Sequence, residues 1–84
     1  MTETRFVDDF ISREQRFSLG RDQETGCYYF STPVSNAVRA AEYEAYFRID
    51  VEEYARFRAD PDQAAQFAED CRMGRQAGRL IAPL

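Results

Sequence analysis

The period of the hydrophobic residues changes at Asp50, and this change constrains the fold more than any other feature of the chain. Before it, Tyr43, Ala45, Phe47 and Ile49 occupy alternate positions, as in a strand with one buried face. After it, apolar residues recur at the spacing of a helix. We therefore predict a strand that ends near residue 49 and continues directly into a helix.

Capping residues place the start of that helix. Asp50 is a suitable N-cap, and Glu53 lies three residues later, where its side chain completes a capping box. The helix is predicted to run from residue 51 to about residue 59.

A second helix is predicted immediately afterwards. Asp60 is its N-cap, Pro61 its first helical residue and Gln63 the partner in a second capping box. Gly74 is expected to end it. The apolar stripe of this helix has the spacing i, i+3, i+4 and i+7; it consists of Ala64, Phe67, Ala68 and Cys71.

Shorter signals indicate further strands. Residues 15–19 and 27–32 are predicted to form a hairpin around a turn at 20–26, and residues 80–82 a last strand. Pro33 is expected to end the second strand, because it cannot donate to the ladder. Residues 37–41 fit either a loop or one helical turn. The i, i+4 spacing of Phe6 and Phe10 favours a short N-terminal helix capped by Thr2 or Thr4, with a strand as the alternative.

These elements predict an α+β fold in one domain, residues 1–84. We expect a small antiparallel sheet of three to four strands, with two or three helices packed on one face.

Composition excludes several chemistries. The 84 residues contain no His and no Lys, which removes the usual general base, Schiff-base chemistry and most zinc sites. No catalytic residue, metal or cofactor is therefore expected. The net charge of −4 argues against a nucleic-acid partner. The chain has neither an apolar signal core nor a membrane span, so we expect a cytoplasmic protein without a membrane partner.

Cys27 and Cys71 are interpreted as buried structural thiols, and a disulfide between them is the alternative.

An interaction surface is the first functional hypothesis. If helices cover one sheet face, Tyr29 and Tyr46 lie on the opposite, open face, with Glu44 and Arg48 beside Tyr46. Tyr and Arg are enriched at interface hot spots. Residues 42–70 also carry nine acids and three arginines, which favours a basic partner. We therefore predict a non-catalytic module that binds another protein or itself.

Two alternative functional hypotheses assign a binding role to arginine side chains. Arg72, Arg75 and Arg79 follow the second helix and are candidates for binding an anion. A small ligand-binding protein or enzyme would instead use a pocket between sheet and helices, lined by tyrosines, an arginine and a carboxylate. A cleft that converges on Arg48 or Arg79 would favour it.

Several segments between about residues 17 and 80 carry a family resemblance: residues 28–36, 42–49, 53–54 with Phe57, 60–61, Phe67, 71–72 and 79–80. They resemble a family of small bacterial α+β proteins without an established function. The resemblance implies a compact stand-alone domain and brings no catalytic residues. In size and charge the chain is also similar to immunity proteins that block toxins, which is an analogy and not a shared motif.

Overall fold

The computed structural model describes residues 5–35 and 42–82. Five strands form one antiparallel sheet in chain order, β1 to β5. The elements are β1 (Phe6–Ser12), β2 (Phe17–Asp22), β3 (Tyr28–Ser35), β4 (Glu42–Ile49), α1 (Val51–Ala59), α2 (Pro61–Arg72), a 3₁₀ turn (Ala77–Arg79) and β5 (Leu80–Ala82). The α+β class is confirmed, whereas the expected three to four strands were too few.

The additional strand is β1, where a short helix was favoured and a strand was the alternative. Its pairing with β2 shifts register between Asp8 and Phe10. This bulge places Phe6 and Phe10 on opposite faces: Phe6 packs on Tyr46 and Phe10 on Phe17. Pairing across the hairpin thus overrides the local i, i+4 spacing. The proposed caps Thr2 and Thr4 lie outside the described residues.

Strand β3 continues through Pro33, contrary to the sequence prediction. Pro33 lies opposite Glu44 in the β3–β4 ladder. The pairing between β2 and β3 ends at Ser18 and Ser31, so Pro33 lies where β3 has a partner strand on one side only. A residue without an N–H group is tolerated there. Residues 37–41, for which the sequence fits either a loop or one helical turn, lie outside the described part of the chain.

The junction of β4 and α1 is as predicted. The Asp50 carboxylate accepts a hydrogen bond from the Glu53 backbone N–H at 2.7 Å. The Glu53 carboxylate accepts one from the Asp50 N–H at 3.0 Å. The capping box at the start of α1 is therefore confirmed, and it fixes the angle at which the chain leaves the sheet.

The second helix begins at the predicted residue with a different cap. The side chain of Asp60 accepts from Asp62 N–H at 3.1 Å, and Gln63 donates to the Asp60 carboxylate at 2.8 Å. The Asp60 N–H cannot take part in a box, because it donates to the Arg56 carbonyl at the end of α1. Gly74 ends the helix as expected, with φ of +79°.

Both helices pack against one face of the sheet through a phenylalanine-rich core. Phe30 is fully buried at its centre, with ring centroids 5.1 Å from Phe17, 5.6 Å from Phe57 and 4.8 Å from Phe67. We call the buried residues on this side the helix-side core: Phe17, Leu19, Phe30, Val34, Ala45, Phe47, Ile49, Phe57, Ala64, Phe67, Ala68 and Cys71.

The two cysteines are free thiols with different surroundings. Cys71 is buried in the helix-side core, and burial raises the pKa of its thiol to about 12. It is therefore protonated at neutral pH and unreactive. Cys27 is only half-buried, so the expectation of two buried thiols is wrong for this residue.

Candidate functional site

The candidate surface is the sheet face opposite α1 and α2, which we call the open face. Alternation along the strands and the register of their pairing assign its side chains. They are Phe6, Asp8 and Ile11 on β1, Ser18, Gly20 and Asp22 on β2, Tyr29, Ser31, Pro33 and Ser35 on β3, and Glu42, Glu44, Tyr46 and Arg48 on β4.

Tyr29 is the main correction to the predicted surface, because it is 0% exposed. It lies opposite Gly20 in the ladder, and Gly20 in turn lies opposite Asp8. Since Gly20 has no side chain, the Tyr29 ring can cross β2, and its hydroxyl donates a hydrogen bond to the Asp8 carboxylate. Burial and this neighbouring carboxylate raise the pKa of Tyr29.

Tyr29 belongs to a second aromatic cluster, the open-face cluster, which consists of Phe6, Tyr29 and Tyr46. The Phe6 and Tyr46 rings stack with centroids 4.0 Å apart. Both meet the Tyr29 ring edge-on at 5.3 Å. Sequence reasoning missed Phe6; the signal that could have found the cluster is a strand glycine opposite an aromatic residue, where the ring can lie over the glycine.

Beside this cluster, Asp22 is a fully buried carboxylate on the open face. Arg5 holds it with two hydrogen bonds, at 3.0 and 3.1 Å. The Arg5 hydrogen bonds lower the pKa of Asp22 against the opposing effect of burial. Because the folded pKa lies below the unfolded value of 3.8, the pair stabilises the fold above about pH 4 and this stabilisation is lost as the pH falls through the folded pKa.

We expect Arg5→Gln to destabilise the protein at pH 7 and much less at pH 3. Without Arg5, the buried carboxylate keeps the hydrogen bond from the Glu24 N–H but loses its cationic partner and the pKa-lowering effect of that partner. The variant is therefore penalised mainly at the pH where Asp22 is charged. Urea midpoints at the two pH values measure the difference from wild type. Arg16→Gln is the control, because its ion pair with Glu42 is half-exposed on both sides and contributes little. An Arg5→Gln deficit that stays constant with pH would contradict this account.

The remaining predicted residues on β4 are accessible. Glu44 and Arg48 are exposed and Tyr46 is half-buried. Burial, then the charges of Glu44 and Asp8, raise the pKa of Tyr46, so it is a neutral hydroxyl group at physiological pH. Among the described residues, neither Glu44 nor Arg48 has an ion-pair partner, whereas Glu42 is bound by Arg16 at 3.1 Å.

The three arginines that were predicted as candidates for binding an anion are each paired with a carboxylate. Arg72 pairs with Glu69 at 3.5 Å and Arg75 with Asp70 at 3.0 Å. Arg79 pairs with Glu53 at 2.8 Å and also donates to the Arg48 carbonyl. Each guanidinium is therefore bound to a carboxylate of α1 or α2. These pairs also neutralise part of the negative charge of the acidic residues on α1 and α2.

A cavity of about 450 Å³ lies where β4 meets α1. Its lining residues are Cys27, Tyr28, Arg48, Ile49, Asp50, Val51, Glu53 and Arg79. Most of its polar groups are already bonded to one another: Glu53 accepts from both the Asp50 N–H and Arg79. Arg48 is the cation in its wall that has no carboxylate partner among the described residues.

Scans against family models, curated proteins and solved structures found no match to this chain. The comparisons thus add no support to the family resemblance, and the function must be argued from the surface itself. Within residues 5–35 and 42–82, no helix is long and apolar enough to cross a membrane. The same ranges hold no group of three or more Cys, Asp or Glu side chains placed to bind a metal ion.

Proposed function

We propose that this protein is a non-catalytic binding module that contacts another protein through the open face. One observation supports the proposal above others. The Phe6–Tyr46 stack is partly exposed on a sheet face. Tyr46 is flanked along β4 by Glu44 and Arg48, two charges that have no ion-pair partner within residues 5–35 and 42–82. A central aromatic group with charged residues around it is typical of interface hot spots.

The acidic composition supports a basic partner, and an immunity-type or regulatory role is one concrete version. Among the described residues, the acids without an arginine partner include Glu44 on the open face and Asp62 on α2. Their attraction would act mainly on the association rate and would weaken as salt is added.

We expect Tyr46→Ala to weaken partner capture at least tenfold while the fold is retained. The ring is half-buried, so its loss should cost about 1–2 kcal/mol of stability, less than the whole stability of a domain. The measurement is quantitative capture from a host extract, with a urea midpoint for each variant. Glu52→Ala is the control, because Glu52 is exposed on α1. Undiminished capture by a folded Tyr46→Ala protein would contradict the open-face proposal.

A second candidate function is supported by the cavity. It brings Arg48 and Arg79 together with Asp50 and Glu53, which is the convergence expected of a small-ligand site. Tyr46 is not part of its lining. Ligand binding that survives Tyr46→Ala and is lost in Arg48→Ala would favour this alternative, because only the latter change removes a residue of the cavity wall.

A further inference from the structure

We infer that the open face binds a second copy of this chain, in a symmetric face-to-face dimer centred on Tyr46. The inference rests on the proposed function and specifies the partner. The residues that carry it are Glu44, Tyr46 and Arg48, which form a row of three along β4. We call this row the β4 triplet.

The β4 triplet has opposite charges at equal distances from its centre. Alternate residues of a strand point to the same face, and successive members are about 7 Å apart. A two-fold axis between the two sheets, perpendicular to β4 and passing over Tyr46, reverses the strand direction. It places Tyr46 over Tyr46, Glu44 of each copy opposite Arg48 of the other, and forms two identical ion pairs. Such a self-complementary contact is the usual geometry of a two-fold dimer.

The charge pattern also selects this orientation over the other symmetric one. An axis parallel to β4 would place Glu44 over Glu44 and Arg48 over Arg48, and directly opposed like charges are destabilising. Glu42, the remaining acid on this face of β4, is already bound by Arg16. The β4 triplet therefore contains one acid and one base that have no ion-pair partner among the described residues.

The apolar part of the contact would come from the Phe6–Tyr46 stack. Each copy contributes both rings, whose centroids are 4.0 Å apart. An eight-residue strand such as β4 is about 26 Å long, and neighbouring strands are about 4.8 Å apart, so five strands offer at most about 500 Å² on each copy. The contact would thus bury at most about 1,000 Å² in total, which is at the lower end of the range for specific interfaces. We expect a dimer that dissociates at micromolar concentrations.

Charge reversal tests the inference by sedimentation equilibrium between about 5 and 500 μM. We expect the wild type to dimerise, and Glu44→Arg and Arg48→Glu each to weaken self-association at least tenfold, because each creates two like-charge contacts. An equimolar mixture of the two variants should form a heterodimer, since both contacts become attractive again. The double variant E44R/R48E should self-associate as the wild type does.

Matched controls separate this effect from net charge. Glu52→Arg and Arg56→Glu make the same changes of charge on exposed positions of α1 and should leave dimerisation unchanged. The urea midpoint of each of the five variant proteins shows whether its fold is retained, and we expect all five to stay near the wild type. A monomeric wild type at 500 μM, or a mixture of the two reversed variants that stays monomeric, overturns the inference.

The outcomes distinguish this inference from the proposed function. If the wild type is monomeric and yet captures a different protein in a Tyr46-dependent way, the second-copy inference fails and the open face remains a binding surface. If it is monomeric and Tyr46→Ala captures the same proteins as the wild type, both proposals fail.

Discussion

Gly20→Ala is expected to remove most of the stability of the fold. A Cβ atom at this position would overlap the Val7 carbonyl oxygen of β1, and it would lie 2.6 Å from the Tyr29 hydroxyl oxygen and 2.8 Å from the ring carbon that carries it. Ordinary overpacking costs about 1–3 kcal/mol. Here the obstructing group is backbone, so β1 must move away from β2, and the hydrogen bond between Tyr29 and Asp8 is lost with it.

We therefore expect a loss of at least about 3 kcal/mol for Gly20→Ala, against a total stability of roughly 4–13 kcal/mol for a chain of this length. Urea unfolding followed by circular dichroism measures it. Gly78→Ala is the control, because an added Cβ there meets no atom within 4 Å. An unchanged urea midpoint for Gly20→Ala would mean that Tyr29 does not cross β2 at this glycine.

The segment from β4 to α2 could be predicted because its signals are local. The Asp50 capping box, the change of hydrophobic period and the helix-ending Gly74 each involve residues within a few positions of one another. Such signals involve only neighbouring residues, so their sequence patterns can be read directly. The strand at residues 80–82 follows from the same kind of evidence.

The prediction failed where distant residues decide the local structure. Phe6 and Phe10 have helical spacing, but β1 is held by its pairing with β2 and bends at a bulge. Pro33 stays in β3 because no β2 residue is paired at that position. Neither the bulge nor the end of a neighbouring strand leaves a signal in the residues beside it.

On the candidate surface, the orientation of the β4 side chains could be predicted, whereas the burial of Tyr29 could not. Glu44, Tyr46 and Arg48 point away from the helices because alternation along one strand is a local property. The burial of Tyr29 depends on Phe6 and Asp8, which are more than twenty residues away in the chain. Long-range ion pairs, such as Arg79 with Glu53, likewise engage side chains that the sequence left available for an anion.

Phe30→Ala is expected to have a comparably large effect on the opposite side of the sheet. Phe30 is 0% exposed, and its ring contacts Phe17 from β2, Phe57 from α1 and Phe67 from α2. Truncation of a buried phenylalanine costs about 3–5 kcal/mol, because the lost transfer energy is joined by the cost of a cavity. The effect should be near the upper end, since rings from three different elements cannot all move in to fill the space.

The matched control for Phe30→Ala is Ile11→Ala, which removes a large apolar side chain that is 57% exposed on the edge strand. We expect it to cost less than about 0.5 kcal/mol. Both variants are compared by urea midpoint at constant slope, so that a change in midpoint reports stability alone. Equal losses from the two substitutions would show that Phe30 is not the centre where the helices meet the sheet, and the open face could then not be identified as the side that the helices leave uncovered.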